Sequence, residues 1–124
     1  MFSSHNAERA RQGLAPFRVD GTLAQVARQR AQDMASKGYF SHTSPSGQTA
    51  FGIMNALGYR YLEAGENIAR NNYPDSQTVS VAMSALMNSA THRENILDTG
   101  FYLVGIGEAT STDGMKYFAI EFAR

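Results

Sequence analysis

Apolar residues recur at helical spacing along most of the chain, and a period of two appears only near its C-terminal end. The clearest helical stripe consists of Leu23, Val26, Ala27, Ala31 and Met34. This stripe predicts an amphipathic helix, and Gly38 after it is a residue type that ends helices. Thr22 and Gln25 have the spacing of a capping box, so we expect Thr22 to cap this helix.

A shorter helix is predicted at the N-terminal end, from Ser4 to its stop at Gly13. The segment Leu14–Phe17 then predicts an extended connector, because residues before a proline avoid helical angles.

Three more helices are predicted beyond residue 49. One covers residues 50–57 and ends at Gly58. The next is capped by Asp75 or Ser76 and continues past Leu86, and the last is capped by Thr91.

The C-terminal part of the chain predicts a β-hairpin. Its strands are Phe101–Gly107 and Met115–Ala123, and Asp113-Gly114 is a turn signal between them. Phe118, Ile120 and Phe122 share one face of the last strand, and Tyr117, Ala119 and Glu121 share the other. A short strand is also predicted near Asn67–Arg70. Helices first and an antiparallel hairpin last indicate an α+β fold in one domain.

Composition and charge exclude several classes of protein. The chain has 124 residues, of which 43% are hydrophobic and 18% charged, so we expect a globular domain. Lys and Arg together number 11, as do Asp and Glu, which argues against a nucleic-acid partner and against attraction to anionic membranes. No apolar run is long enough to span a membrane.

The absence of cysteine excludes a disulfide framework, a thiol nucleophile and a thiolate metal site. It does not fix the compartment, because a domain of this size can fold without disulfides in either setting. No signal peptide is visible, so we expect export to depend on a segment outside this sequence.

Two histidines and one glutamate are the candidates for chemistry. His42 follows two aromatic residues, His92 lies near the start of the last predicted helix, and Glu66 follows Gly65. Imidazole titrates near neutral pH and is the commonest metal ligand, so these three groups form a minimal coordination or acid–base set. If Thr91 caps the last helix, the helix dipole favours a neutral imidazole at His92.

Other polar residues have simpler interpretations. Thr91 and Glu94 have capping-box spacing, so we expect Glu94 to serve the helix rather than a ligand. The sequence contains no His-Glu-x-x-His pair, no Gly-x-Ser-x-Gly elbow and no phosphate-binding glycine loop, and we therefore favour a non-catalytic protein.

Six segments resemble those of a bacterial CAP domain, in the same order. They are Gly13–Pro16, the helix that carries Leu23, Gly38–His42, Gly65–Ala69, Ser89–Leu97 and Phe101–Gly107. This superfamily comprises cysteine-rich secretory proteins, antigen 5 and plant pathogenesis-related proteins, and its domain is also called SCP. The resemblance covers nearly the whole chain.

The resemblance implies an α-β-α sandwich, with helices on both faces of a small antiparallel sheet, as a single domain over residues 1–124. It also implies that His42, Glu66 and His92 converge in a surface cleft, where some relatives bind a divalent metal such as zinc. His42 and His92 correspond to the two family histidines, and Glu66 corresponds to the glutamate of the family's Gly-Glu-Asn motif.

One family position differs in this sequence. Many relatives have a second acidic residue three positions after a tryptophan, where this chain has Leu86 and Ser89. We therefore expect a cleft of His42, Glu66, His92 and Ser89, with His42, His92 and Glu66 as ligands of zinc that folding does not require. A site without the second carboxylate has less charge to balance a divalent ion.

Three functions are compatible with this cleft. The first is a monomeric recognition module, secreted or held in the cell envelope, that binds a small ligand, a lipid or an extracellular protein. The second is a peptidase or other hydrolase that is metal-dependent or assisted by the His/Glu groups, with Glu66 as the base. The third is a lipid or sterol binder with a groove between two apolar stripes, Ile53/Met54/Leu57 and Val79/Met83/Leu86.

Overall fold

The computed structural model describes all residues from 1 to 124, as five helices and four strands. The helices are α1 (Phe2–Arg11), α2 (Gly21–Lys37), α3 (Ala50–Ala56), α4 (Asp75–Met87) and α5 (Ala90–Leu97). The strands are β1 (Arg18–Val19), β2 (Ala64–Asn71), β3 (Leu103–Thr110) and β4 (Lys116–Ala123). No helix combines the length and the apolar character that crossing a bilayer requires.

The four strands form one sheet in the order β1-β3-β4-β2. β4 pairs antiparallel with both β2 and β3, as the predicted hairpin requires, and Gly114 turns the chain between β3 and β4 at φ +88°. β1 pairs parallel with β3, so this two-residue strand makes the predicted antiparallel sheet a mixed one. A two-residue strand is too short to show a period in the sequence. β2 lies at an edge of the sheet.

The sheet is covered by helices on both faces, which confirms the predicted α-β-α sandwich. Phe118, Ile120 and Phe122 of β4 pack in one cluster with residues of α4 and α5. Tyr117, Ala119 and Ala123 lie on the opposite face, in clusters with residues of α2 and α3. The alternation of β4 therefore divides the core between two helical layers.

The two apolar stripes that would line the predicted lipid groove lie in different layers. Ile53 and Met54 pack against α2, whereas Met83 and Leu86 pack on the other face of the sheet. Leu57 ends α3 and is 46% exposed. No groove is formed between these stripes, because the sheet separates them.

Two glycines of β3 let α2 lie directly against the sheet. A Cβ atom at Gly105 would lie 2.1 Å from the backbone nitrogen of Ala24, and one at Gly107 would lie 2.3 Å from the carbonyl carbon of Ala27. Such distances are far below van der Waals contact, so any side chain at either glycine would displace the helix.

The N-terminus of α2 differs from its prediction. Asp20 adopts an extended conformation and its side chain accepts a hydrogen bond from the Leu23 N–H at 2.9 Å, so Asp20 is the cap and Thr22 lies inside the helix. The predicted stop at Gly38 is confirmed, with φ +69° and a hydrogen bond from its N–H to the Met34 carbonyl.

The caps predicted for the last two helices were also wrong. α4 follows Pro74, and neither Asp75 nor Ser76 provides a side-chain cap. α5 follows Ser89 and begins before Thr91, so no capping bond forms with Glu94. In both cases the helix begins earlier than the sequence pattern indicates.

Replacing Gly105 with alanine is expected to lower the free energy of unfolding by at least about 2 kcal/mol, because α2 must move away from the sheet. Gly21→Ala is the matched control, since no atom lies within 4 Å of an added Cβ there and alanine is the better helix former. Urea denaturation followed by circular dichroism measures both. A Gly105→Ala protein as stable as the parent would contradict this account of the packing.

Candidate functional site

Glu66 forms a buried ion pair with Arg30 of α2. The Arg30 Nε donates to Glu66 Oε2 at 2.9 Å and Nη2 donates to Oε1 at 3.3 Å, with side chains only 1% and 2% exposed. Such a pair offsets its desolvation only when further hydrogen bonds satisfy its remaining groups. Both partners have such bonds.

Arg30 uses its remaining donors to hold the segment before His42. Nη1 donates to the Tyr39 hydroxyl at 2.9 Å, and Nη2 donates to the Ser41 carbonyl at 2.5 Å. Tyr39 in turn donates its hydroxyl proton to Asp33. The loop that carries His42 is therefore fixed to α2 by a buried cation.

His42 is oriented by Glu66. Its Nδ1 lies 2.7 Å from Glu66 Oε1, and its side chain is 57% exposed. Burial by itself raises the pKa of Glu66, but the hydrogen bonds from His42 and Arg30 and the charge of Arg30 outweigh it and hold the pKa below its ordinary value. An ionised carboxylate only accepts, so Nδ1 of His42 carries a proton and donates it to Glu66, which leaves Nε2 as the ring nitrogen that Glu66 does not engage.

Glu121 is the second buried carboxyl group of this site. It lies opposite Glu66 in the β2–β4 register, is fully buried, and neither of its oxygens receives a hydrogen bond from a donor. Burial, followed by the negative charge of Glu66, raises the pKa of Glu121 well above its ordinary value. Burial without a hydrogen-bond partner thus favours the protonated form of the Glu121 carboxyl group.

The segment Gly65-Glu66-Asn67 connects the two layers of the sandwich. Glu66 points toward α2, and Asn67 points to the other face, where its side-chain nitrogen donates to the His92 carbonyl at 3.0 Å. Asn95 of α5 donates to the Asn67 side-chain oxygen at 2.9 Å. A Cβ at Gly65 would lie 3.2 Å from the Asn95 side-chain oxygen, so the glycine permits this close approach.

His92 approaches the same edge of the sheet from α5. Its Nδ1 lies 2.8 Å from the Ser89 Oγ. Burial lowers the pKa of His92, and the charge of nearby His42 lowers it further. The structure thus pairs His42 with Glu66 and His92 with Ser89.

The predicted metal ligand set only partly fits these contacts. No group of three or more His, Cys, Asp or Glu side chains is arranged to hold a metal ion. The oxygens of Glu66 already accept from Arg30 and His42, which disfavours Glu66 as a ligand and as a hydrolytic base. Glu66 instead has the position of a carboxylate that orients His42.

Sequence reasoning missed Arg30 and Glu121. Arg30 follows Val26 by four residues and precedes Met34 by four, so it lies within the apolar stripe of α2, and a cation there requires a buried partner. Glu121 shares its strand face with Tyr117 and Ala119, which is the corresponding signal for a buried acid.

The sequence model of the cysteine-rich secretory protein family, CAP, matches residues 2–122. The chain belongs to the CAP family. The Bacillus subtilis (strain 168) protein YkwD is 43% identical to this CAP domain over 106 residues, which are 86% of this chain and 40% of YkwD.

Solved structures show the same fold. An extracellular protein containing a SCP domain from Bacillus anthracis str. Ames is 31% identical, with a TM-score of 0.84 over 99% of this chain and 38% of that one. An outer surface protein from Borrelia burgdorferi is 22% identical, with a TM-score of 0.85 over 99% of this CAP domain and 88% of that chain. This CAP domain thus spans less than half the length of YkwD and of the Bacillus anthracis protein.

Arg30→Met is expected to lower the free energy of unfolding by about 3–5 kcal/mol, because it leaves the Glu66 carboxylate buried without its cation. Arg28→Met on the exposed side of the same helix is the control and should have little effect. Urea denaturation gives the stabilities, and the ¹⁵N spectrum of the His42 ring reports whether Nδ1 still carries its proton. Equal stabilities of the two variants would exclude a structural role for the ion pair.

Glu121→Gln tests the protonation of the second carboxyl group. In the unfolded chain Glu121 ionises near pH 4.5, while the folded protein holds the proton to higher pH, so the parent loses stability as pH rises from 4.5 to the raised pKa of the folded state. Relative to Glu121→Gln, the parent should lose at most about 1.4 kcal/mol for each pH unit within that range. Urea denaturation at several pH values measures this slope, with exposed Glu108→Gln as the control for loss of charge. Parallel pH profiles of the parent and Glu121→Gln would mean that Glu121 is ionised when folded.

Proposed function

We propose that this CAP domain is an extracellular recognition module whose ligands bind at the paired imidazoles of His42 and His92. The observation that carries the proposal is the 2.7 Å contact between His42 Nδ1 and the buried Glu66 carboxylate. This contact commits the outward Nε2 atom of His42 to accepting a proton or a metal ion. Two structurally similar proteins support the proposed localisation, since one is described as extracellular and the other as an outer surface protein.

A divalent metal ion, zinc in particular, is the ligand that this donor set favours. Zinc binds neutral imidazole nitrogen, and a ligating histidine commonly donates its other ring N–H to a carboxylate or hydroxyl partner. Glu66 is such a partner for His42, and Ser89 is such a partner for His92. When bound, zinc would supply a Lewis acid with open positions for an anionic or carbonyl group of a ligand.

The protein's own residues set the properties of this site. Arg30 holds Glu66 ionised and fixes the backbone before His42, while Asn67 fixes the backbone of His92. The low pKa of His92 keeps its ring available to a metal at neutral pH. Because each element is anchored to β2, the two rings are arranged before any ligand arrives.

Hydrolysis is the second candidate, and the His42–Glu66 pair is the observation that favours it. A neutral imidazole oriented by a carboxylate is a general base in many enzymes. The base would then be His42 rather than the predicted Glu66. Ser89 contacts His92 rather than His42, so these contacts pair no nucleophile with that base. Recognition therefore remains the better-supported function.

Isothermal titration of the metal-free protein with zinc at pH 7 tests the proposed site. His42→Ala and His92→Ala should each weaken zinc binding by at least about tenfold, because each removes one of two ligands. Binding should also weaken as the pH falls and protons compete for the imidazoles.

Glu94→Gln is the matched control for zinc binding, since Glu94 is an exposed carboxylate on the same helix as His92. It should bind zinc like the parent. Equal affinity in the parent and in both histidine variants would place zinc elsewhere and refute the proposed site.

A further inference from the structure

The outer edge of β2 presents backbone groups that no other part of the protein uses. Glu63 and Arg124 exchange backbone hydrogen bonds at 3.4 and 3.0 Å, so the odd-numbered residues of β2 bond to β4 and the even-numbered residues point away from it. In an antiparallel pair, hydrogen-bonded positions alternate with positions whose N–H and C=O point away. Ile68 and Arg70 occupy outward positions, and no backbone or side-chain group of the protein bonds to them.

A slot runs along this edge. It has a volume of about 250 Å³, and the consecutive residues 68–71 form its floor. Side chains of a strand alternate between faces, so four consecutive residues can line one cavity only along the strand's edge. Phe40 forms one wall of the slot, and Val81, Ala85 and Leu86 of α4 form the other.

The slot is continuous with the histidine cleft and carries positive charge. His92 and Ser89 both line it, and its lining contains no carboxylate. Arg70 is exposed, stacks on the Phe40 ring with its guanidinium carbon 4.7 Å from the ring centroid, and joins no ion pair. An acidic group of a ligand could therefore pair with Arg70 without competition from a carboxylate of the protein.

We propose that this slot binds an extended peptide segment of another protein, which adds a strand to β2 and places an apolar side chain between Phe40 and α4. Outward N–H and C=O groups at Ile68 and Arg70 match the main chain of such a strand, a pairing that many peptide-binding domains use. An acidic residue of the peptide faces Arg70. Phe40 and α4 flank the edge of β2 on its two sides. A single peptide strand therefore fits between them, whereas the edge of a second sheet does not.

This inference rests on the proposed function in one respect, since it takes the cleft beside His42 and His92 as a recognition surface. It names a peptide as the ligand of that surface and does not require a metal. Backbone pairing distinguishes a peptide from a lipid, because an acyl chain leaves the outward groups of Ile68 and Arg70 without partners.

The test is selection of linear peptides from a phage-displayed random library on the zinc-free protein, followed by binding measurements with the synthetic peptides. We expect selected peptides to combine apolar and acidic residues and to slow amide hydrogen exchange at Ile68 and Arg70. Only alternate amides of the peptide face β2. N-methylation of those amides should abolish binding, whereas N-methylation of the intervening amides should leave binding unchanged.

Two tryptophan variants on α4 provide a matched pair. Ala85→Trp fills the slot from an exposed position and should weaken peptide binding by at least about tenfold. Ser84→Trp adds the same side chain at the adjacent exposed position, which lines a different cavity, and should bind peptides like the parent. Arg70→Glu should weaken the binding of peptides that contain an acidic residue more than the binding of peptides without one.

Failure to select any binding peptide, or equal binding by Ala85→Trp and the parent, would overturn the peptide proposal. Zinc titration of the same variants separates the two proposals, because Ala85→Trp retains both histidines. Zinc binding without peptide binding would refute only the peptide slot. Peptide binding without zinc binding would refute only the metal site.

Discussion

The buried ion pair between Arg30 and Glu66 is the interaction on which the rest of the site depends. Arg30 neutralises a carboxylate that has almost no contact with solvent and also holds the carbonyl of Ser41. Glu66 then has the charge to orient His42, and burial followed by this charge raises the pKa of Glu121. Four side chains from four parts of the chain thus share one electrostatic arrangement, and the exposed member, His42, is the one that can meet a ligand.

β2 gives this arrangement its position because it is an edge strand. Successive residues of a strand face opposite sides, so Glu66 contacts the α2 layer while Asn67 contacts α5. The hydrogen bonds of Glu66 and Asn67 thereby tie His42 and the backbone of His92 to neighbouring positions of β2. An interior strand could anchor the same residues, but its hydrogen bonds would be used on both sides and no open edge would lie beside them.

Membership of the CAP family accounts for the fold, and the contacts of Ser89 and Glu121 are features of this chain's own residues. Ser89 contacts His92 where many relatives have a carboxylate, so charge on that side of the cleft is reduced. Glu121 adds a second carboxyl group, whose pKa is raised by burial and by the charge of Glu66. The proposed peptide slot contains Arg70 and no carboxylate, which suits an acidic peptide, whereas the imidazoles of His42 and His92 are the groups proposed to bind zinc.

The sequence by itself determined most of the elements. The stripe of α2, the stop at Gly38, the hairpin turn at Gly114 and the two faces of β4 follow from periodicity and glycine conformation, which are local properties. Caps were less predictable, because Asp20 and Thr22 are both good capping residues only two positions apart. Only the tertiary structure decided that β1 joins the sheet in parallel, that Glu66 pairs with Arg30, and that Glu121 is an acid. These contacts join residues far apart in the chain, and the free energy of a buried charge depends on what surrounds it in space.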